Sequence, residues 1–306
     1  MSAEDMNFHE GRSGAVYCFP EGAAVARALA GALGLVFVPI EIHSFPDGES
    51  RVRVIAAAPF AIVLCSLHQP NTKLLELILA ADALRDTGAQ NLTLVAPYLA
   101  YMRQDKAFSR GEAVSQKVIG RLLAGCFDRF VSVDPHLHRT PSLDDVFGGK
   151  PALTLTAAPA ISAHIKARGL SPHTLLIGPD EESRAWVAAV AAPLDYAWVT
   201  ATKERHGDRN VTITLPATVE VRGRPIIVID DVISSGGTLR RLAESLRARG
   251  ATSVEAYTTH ALFSPEDAET LKEAGVNAVY SCNSVPHRTN AIDLTSTLAD
   301  GLKQWL

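Results

Sequence analysis

Arg224-Pro-Ile-Ile-Val-Ile-Asp-Asp-Val-Ile-Ser-Ser-Gly-Gly-Thr238 is the stretch on which the fold turns. An apolar, β-branched run, Pro225–Ile229, leads into two adjacent carboxylates, Asp230 and Asp231. A turn of hydroxyl residues and glycines comes next, and helical spacing of apolar residues then runs over Thr238–Arg249. Open α/β sheets bind ligands at such carboxyl ends of strands. Ser234, Ser235, Gly236, Gly237 and Thr238 are small enough for backbone N–H groups to approach an anion, and a helix N-terminus favours negative charge. Two carboxylates beside that nest would repel a bare phosphate. They fit a ligand that also carries sugar hydroxyls, or a Mg²⁺ ion held on the same ligand. The ligand predicted from these residues is a phosphorylated sugar. The plainer alternative is an ordinary β-turn-α unit with an N-cap serine and solvated aspartates.

Working outward, strand-like and helix-like runs alternate. Gly34–Ile42, Ala61–Ser66, Leu92–Ala96 and Phe130–Val133 are short and apolar, with helical spacing over Thr72–Thr87 and Ala113–Gly125. Thr174–Ile177, Ala197–Thr202, Pro225–Ile229 and Val254–Thr259 repeat the strand pattern, with helices over Ser183–Ala192 and Thr238–Arg249. Near-continuous apolar strands alternating with helices predict an α/β fold whose mainly parallel sheets are flanked by helices. The halves also resemble each other. Ala83-Leu-Arg-Asp-Thr-Gly-Ala89 and Ser245-Leu-Arg-Ala-Arg-Gly-Ala251 each close a helix and lead into a strand, and one offset relates Leu84 to Leu246 and Gly88 to Gly250. Gly88 and Gly250 are candidate helix-terminating glycines. Two similar domains are expected, 1–152 and 153–306, with the boundary near Lys150–Ala158, where Gly148, Gly149 and Pro151 interrupt the pattern.

Composition narrows the function classes. The 306-residue chain is 47% hydrophobic and 20% charged, enough to bury full cores without staples. Its net charge of −4 argues against a general nucleic-acid or membrane-surface binder. Cys18, Cys65, Cys126 and Cys282 share no CxxC spacing and are read as reduced thiols. The N-terminus is acidic and without an apolar signal region, and no run approaches the roughly 20 apolar residues of a membrane span. A cytoplasmic protein is the expectation.

Three stretches in the first half carry chemistry. Phe45-Pro46-Asp47-Gly48-Glu49 offers a stacking ring and acceptors, or simply a Pro-Asp-Gly turn. Pro97-Tyr-Leu-Ala-Tyr-Met-Arg-Gln-Asp-Lys106 follows a strand and places a planar bidentate donor, Arg103, near a point charge, Lys106, as a polyphosphate clamp requires. Its alternative is a solvated loop with a salt bridge among Arg103, Asp105 and Lys106. In Val133-Asp-Pro-His-Leu-His138, His136 and His138 at i, i+2 are a possible zinc pair, without an evident third or fourth ligand.

Taken in order from about Cys18 to Tyr280, these stretches resemble the ribose-phosphate pyrophosphokinases (phosphoribosyl pyrophosphate synthetases). Segment 224–238 alone also resembles the sugar-phosphate loop of type I phosphoribosyltransferases. The resemblance implies two type I phosphoribosyltransferase-like domains and an enzyme moving the β,γ-pyrophosphoryl group of ATP to the 1-hydroxyl of ribose 5-phosphate. It implies ATP binding by Phe45, Asp47, Glu49, Arg103, Gln104, Asp105, Lys106 and His136, with the 45–49 loop commonly reaching into a neighbouring subunit. It implies ribose 5-phosphate binding by Asp230, Asp231, Ser234, Ser235, Gly236, Gly237 and Thr238. Mg²⁺ would be held through His136 and Asp180, although imidazole is an unusual Mg²⁺ ligand. Lys203 and Arg205 match the K-x-R of the family's catalytic lid, in a charged stretch, Thr202–Asn210, that reads as a mobile loop. A homo-oligomer, dimer or hexamer, with the ATP site near a subunit interface is also implied. The chain departs from many members at Ser234, where they carry Asp. Two rivals share part of the pattern: a phosphoribosyltransferase, which does not need Arg103–Lys106, and a non-catalytic regulatory homologue, which often lacks the Asp pair or the K-x-R present here. The same chemistry on another phosphosugar is a third reading.

Overall fold

The computed structural model describes the backbone of residues 14–137, 139–206, 210–216 and 218–306. The first unit contains strands β1 (Gly14–Cys18), β2 (Val36–Pro39), β3 (Glu41–Ser44), β4 (Ser50–Arg53), β5 (Phe60–Leu64), β6 (Asn91–Val95), β7 (Arg129–Val133) and β8 (Ala152–Leu155). Its helices are α1 (Ala23–Leu33), α2 (Pro70–Asp86), α3 (Ser115–Ala124) and α4 (Leu143–Val146). The second contains β9 (Leu175–Gly178), β10 (Ala197–Thr200), β11 (Thr202–His206), β12 (Asn210–Thr214), β13 (Pro225–Ile233), β14 (Ser253–Ala261), β15 (Ala278–Cys282) and β16 (Asn290–Ile292). With it go α5 (Ala158–Ala167), α6 (Arg184–Ala191), α7 (Gly237–Ala248) and α8 (Pro265–Glu273); α9 (Thr295–Leu302) comes after them.

Each unit is built on a six-stranded parallel sheet. The orders are β2-β1-β5-β6-β7-β8 and β10-β9-β13-β14-β15-β16, the same topology twice. Inner strands are buried on both faces, as β1 (Ala15, Val16 and Tyr17 fully buried) and β9 show, which is why their sequences are continuously apolar rather than alternating. Helices cover the sheets through one apolar stripe; on α7 it is Leu239, Leu242, Ala243 and Leu246.

The internal likeness extends to single atoms. After α2, Gly88 adopts φ 111° and the Ala89 N–H donates to the Leu84 carbonyl. After α7, Gly250 adopts φ 90° and the Ala251 N–H donates to the Leu246 carbonyl. These are left-handed helix stops that glycine makes without Cβ strain. Arg85 Nη1 donates to the carbonyls of Ala89 and Gln90, and Arg247 Nη1 to those of Ala251 and Thr252.

Three elements differ from the sequence reading. Gly34–Ile42 is not one strand. Ile40 still donates to the Cys18 carbonyl of the main sheet, but Glu41–Ser44 peels away and pairs antiparallel with β4. Glu41 and His43 are exposed there, and a sheet covered on both faces has no place for them. Thr202–Asn210 is likewise not simply a loop: β11 pairs with β12 in a hairpin whose second strand is rich in β-branched residues. Finally, β13 does not stop at Ile229. It runs through both aspartates to Ile233, with Asp230 opposite Thr258 and Ile233 opposite Ala261, because Val232 and Ile233 continue the β-branched pattern.

Compact units do not follow chain order throughout. One comprises the chain through Leu155 together with Thr295–Leu306, the other Thr156–Leu294. β8 pairs with β7, so a division at 152/153 falls inside a strand of the first sheet. The terminal helix α9 packs on α1, and Arg129 Nη1 donates to the Trp305 carbonyl.

One close approach in the first unit gives a stability test. A Cβ on Gly120 of α3 would lie 2.1 Å from the Val146 carbonyl oxygen of α4, and backbone yields little. Gly120→Ala is expected to cost about 1–3 kcal/mol, as overpacking does. Urea unfolding followed by circular dichroism measures it as a lowered midpoint at unchanged slope.

Candidate active site

In the second unit the parallel register assembles a carboxylate cluster. β9 and β13 are neighbours, with Leu175 opposite Ile226 and Ile177 opposite Val228. Asp180 comes two residues past the end of β9, where continuing that register reaches Asp231, and its charge acts on the adjacent Asp230. Burial, reinforced by the charges of Asp231 and Asp180, holds the Asp230 carboxyl well above the usual carboxylate range. Asp180 is tied down locally: its Oδ1 accepts from the Ser183 N–H at 3.2 Å and its carbonyl from Ser183 Oγ at 2.6 Å.

Beyond β13 the chain needs only Ser234, Ser235 and Gly236 to enter α7. Both serines are exposed. Gly236 takes φ 70°, and a Cβ there would meet the Leu271 side chain at 3.0 Å, so both conformation and space call for glycine. The first helical bond runs from the Arg240 N–H to the Gly236 carbonyl. The N–H groups of Gly237, Thr238 and Leu239 precede it, in the turn where a helix supplies no acceptor of its own. Small hydroxyls, a left-handed glycine and a helix start thus come directly after the carboxylates, an arrangement suited to a phosphate with adjacent sugar hydroxyls.

In the first unit, the Arg103–Lys106 segment follows β6 and His136 follows β7, and these strands are hydrogen-bonded neighbours. The Val133 N–H donates to the Pro97 carbonyl at 3.2 Å, joining the two loops at their roots. Tyr101 (φ 67°) and Asp134 (φ 40°) hold left-handed backbone, uncommon for such residues and a mark of functional loops. The Tyr101 hydroxyl donates to Asn71 Oδ1 at the start of α2. Arg103 and Lys106 are exposed, and the Lys106 ammonium lies 5.1 Å from the exposed Phe108 ring centroid. Gln104 Oε1 accepts from Ser115 Oγ at 2.9 Å.

Asp105 does not pair with Arg103 or Lys106 as the salt-bridge alternative supposed. Its carboxylate accepts from Arg139 Nη1 at 2.8 and 3.1 Å. Sequence reasoning missed Arg139 because the partners stand 34 positions apart and neither local pattern points to the other.

Phe45–Glu49 forms the tip of the β3–β4 hairpin. The Phe45 N–H donates to the Glu49 carbonyl at 2.7 Å, the Glu49 N–H to Asp47 Oδ1 at 3.2 Å, and Gly48 takes φ 92°. The turn reading therefore holds for the backbone, while the Phe45 ring stays 40% exposed with its edge to His43. β1 and β5 stand between β2 and β6 in the sheet, so this tip and the Arg103–Lys106 loop issue from separated strands. Lys203 and Arg205 lie on β11, opposite Ile213 and Val211; their side chains fall outside the described residues, as does His138. Among the described residues no group of three or more His, Cys, Asp or Glu is placed to hold a metal by itself. The all-oxygen donors of Asp180, Asp230 and Asp231 nonetheless suit a hard cation that keeps ligand and water oxygens, and the crowding at Asp230 is what such a cation relieves.

Comparison with known proteins gives the family and the fold. Residues 16–126 match the N-terminal domain of ribose phosphate pyrophosphokinase, and residues 157–294 match the phosphoribosyl transferase domain. The ribose-phosphate pyrophosphokinase of Methanopyrus kandleri is 31% identical over 285 residues, covering 92% of this chain and 96% of that one. The chain belongs to the ribose-phosphate pyrophosphokinase family. The Pyrococcus abyssi ribose-phosphate pyrophosphokinase is 33% identical over 258 residues, covering 84% of this chain and 88% of its own. The crystal structure of phosphoribosylpyrophosphate synthetase from Mycobacterium smegmatis superposes with a TM-score of 0.82 at 24% identity, covering 96% of this chain and 99% of that one, so the pyrophosphokinase fold is shared throughout.

The raised Asp230 carboxyl has a signed consequence. Its folded value exceeds its unfolded one, near 3.8, so raising the pH through that value favours the unfolded chain until the folded group also ionises. Asp230→Asn is therefore expected to raise the melting temperature at pH 7 in metal-free buffer, by more than at pH 4, while weakening binding of ribose 5-phosphate. Calorimetry at the two pH values measures the first effect, and titration with the sugar phosphate the second.

Proposed function

We propose that this chain transfers the β,γ-pyrophosphoryl group of ATP to the 1-hydroxyl of ribose 5-phosphate, giving 5-phosphoribosyl 1-pyrophosphate and AMP for nucleotide biosynthesis. The observation that carries the reading is the Asp180–Asp230–Asp231 cluster leading directly into the small-residue start of α7. It offers a phosphate and neighbouring hydroxyls their separate partners in one place.

The 5-phosphate sits on the Ser234–Thr238 turn, taking N–H and hydroxyl donors at the positive end of α7. Asp230 and Asp231 accept from the 2- and 3-hydroxyls and so orient the sugar ring. Phe45 gives the adenine a stacking face, Asp47 and Glu49 accept from its N–H or from ribose hydroxyls, and Arg103, Gln104, Lys106 and His136, on the loops that Asp105 helps to fix, serve the nucleotide's phosphate end. The hairpin tip serves a neighbouring subunit in a homo-oligomer, dimer or hexamer. Asp180 with the neighbouring carboxylates, and His136, would hold Mg²⁺, which when bound would supply neutralisation of phosphate charge and easier ionisation of the attacking hydroxyl. In-line attack on the β-phosphorus then depends on positioning and charge neutralisation. Lys203 and Arg205, carried on a hairpin, supply cations to the transferring group. The protein acts in the cytoplasm, where its thiols stay reduced.

Two measurements test this. Incubation with Mg-ATP and ribose 5-phosphate should release AMP and not ADP, by chromatography of the nucleotides; ADP would make the protein an ordinary kinase. Lys203→Ala should lower turnover about 10³-fold, the scale of a lost transition-state cation, with ribose 5-phosphate affinity nearly intact. Equal loss of both would remove Lys203 from the transferring phosphate.

A further inference from the structure

Asp105 and Arg139 form an unequal pair. The Asp105 side chain is 1% exposed, whereas that of Arg139 is 53% exposed. A carboxylate so covered has little surface to offer a nucleotide. It is costly to bury unless a cation answers it, and Arg139 does. Both bonds leave from the same nitrogen, Nη1. Among the described residues no acceptor reaches Nε or Nη2, and those two N–H groups form the guanidinium edge that grips a phosphate with two parallel bonds. The buried carboxylate therefore seats the guanidinium by one corner and leaves its bidentate edge outward.

Placement makes that edge useful. Asp105 belongs to the loop after β6 and Arg139 to the loop after β7, both at the carboxyl end of the first sheet, where ligands of such sheets bind. Arg139 stands three residues after His136. Its neighbour Thr140 donates through Oγ1 to Gln116 Oε1 at 2.7 Å, which steadies the segment's backbone. The result is a third cation beside Arg103 and Lys106, held by a partner that gives it one orientation.

Resting on the proposed ATP-dependent reaction, the geometry points to Arg139 as a further phosphate-binding residue of the nucleotide site, with Asp105 positioning Arg139 rather than contacting ATP. The family resemblance assigns nucleotide binding to Asp105 and nothing to Arg139; the burial of one and the exposed edge of the other reverse those roles.

The test is equilibrium binding of Mg-ATP and of adenosine, which lacks phosphates, by calorimetry on the full chain without ribose 5-phosphate. Arg139→Ala should weaken Mg-ATP roughly ten-fold or more, the scale of a lost charge-assisted pair, and leave adenosine unchanged. Arg139→Lys, which retains charge but not the fork, should recover only part of the loss. Asp105→Asn should weaken Mg-ATP in the same direction, and adding it to Arg139→Ala should cost nothing more, because it acts through the side chain already removed. The inference is overturned by unchanged ATP affinity in Arg139→Ala, by equal loss of ATP and adenosine with a lowered melting temperature, as a mere loop clasp would give, or by additive losses in the double variant. Wild-type AMP formation is read separately. Its absence would remove the proposed reaction, while the binding series would still decide whether Arg139 holds phosphate.

Discussion

Like charges brought together by hydrogen-bond register are the constraint around which the second unit is built. Asp230 lies on a strand that cannot slide, because β13 is paired on one side with β9 and on the other with β14. Asp231 follows it on the same strand and Asp180 is held by its bonds with Ser183, so mutual repulsion is not easily relieved by movement. The fold carries this strain because β9 and the apolar stretches of β13 and β14 are buried, and a local cost is small against that burial. Carboxylates held in this way are ready for a cation or for sugar hydroxyls and need no rearrangement to receive them.

The two units solve a common problem with one topology. Each leaves its second strand for a hairpin, β3–β4 or β11–β12, before returning to the sheet. Each also starts the helix after its central strand from a left-handed residue, Gln69 at φ 50° before α2 and Gly236 at φ 70° before α7. Around that residue the two units diverge. In the second unit the turn is small and open. In the first, the corresponding space is filled by side chains: Lys73 Nζ bonds Glu21, the Ser66 carbonyl and His68, and burial together with Lys73 lowers the His68 pKa. The first unit thus fills with bonded side chains the position where the second has a short turn of small residues, and its exposed cations stand instead after β6 and β7.

Legibility followed the range of the interaction. Apolar strands, the amphipathic α7 and the glycine stops at Gly88 and Gly250 are governed by neighbours a few positions away, and each could be read directly. So could the Asp230–Thr238 turn, because strand, carboxylates, turn and helix are contiguous. Gly34–Ile42 read as one strand because composition alone does not reveal that the chain changes sheets at Ile40. Thr202–Asn210 read as a loop because its charges outweighed the β-branched run that pairs with it. Asp105–Arg139 and Tyr101–Asn71 were invisible for a different reason: each joins segments that only the sheet order makes adjacent.

The return of α9 to the first unit reaches beyond packing. Leu298, Ala299 and Leu302 are buried there, and Gly301 is so close to Leu155 that a Cβ would lie 2.7 Å from it. A ribosome makes this helix only after the whole second unit, so the opening half of the polypeptide emerges with α1 uncovered and stays unfinished through all of that synthesis. Genetic dissection at Leu155 would inherit the same defect permanently, because the first unit would lack the helix that covers α1.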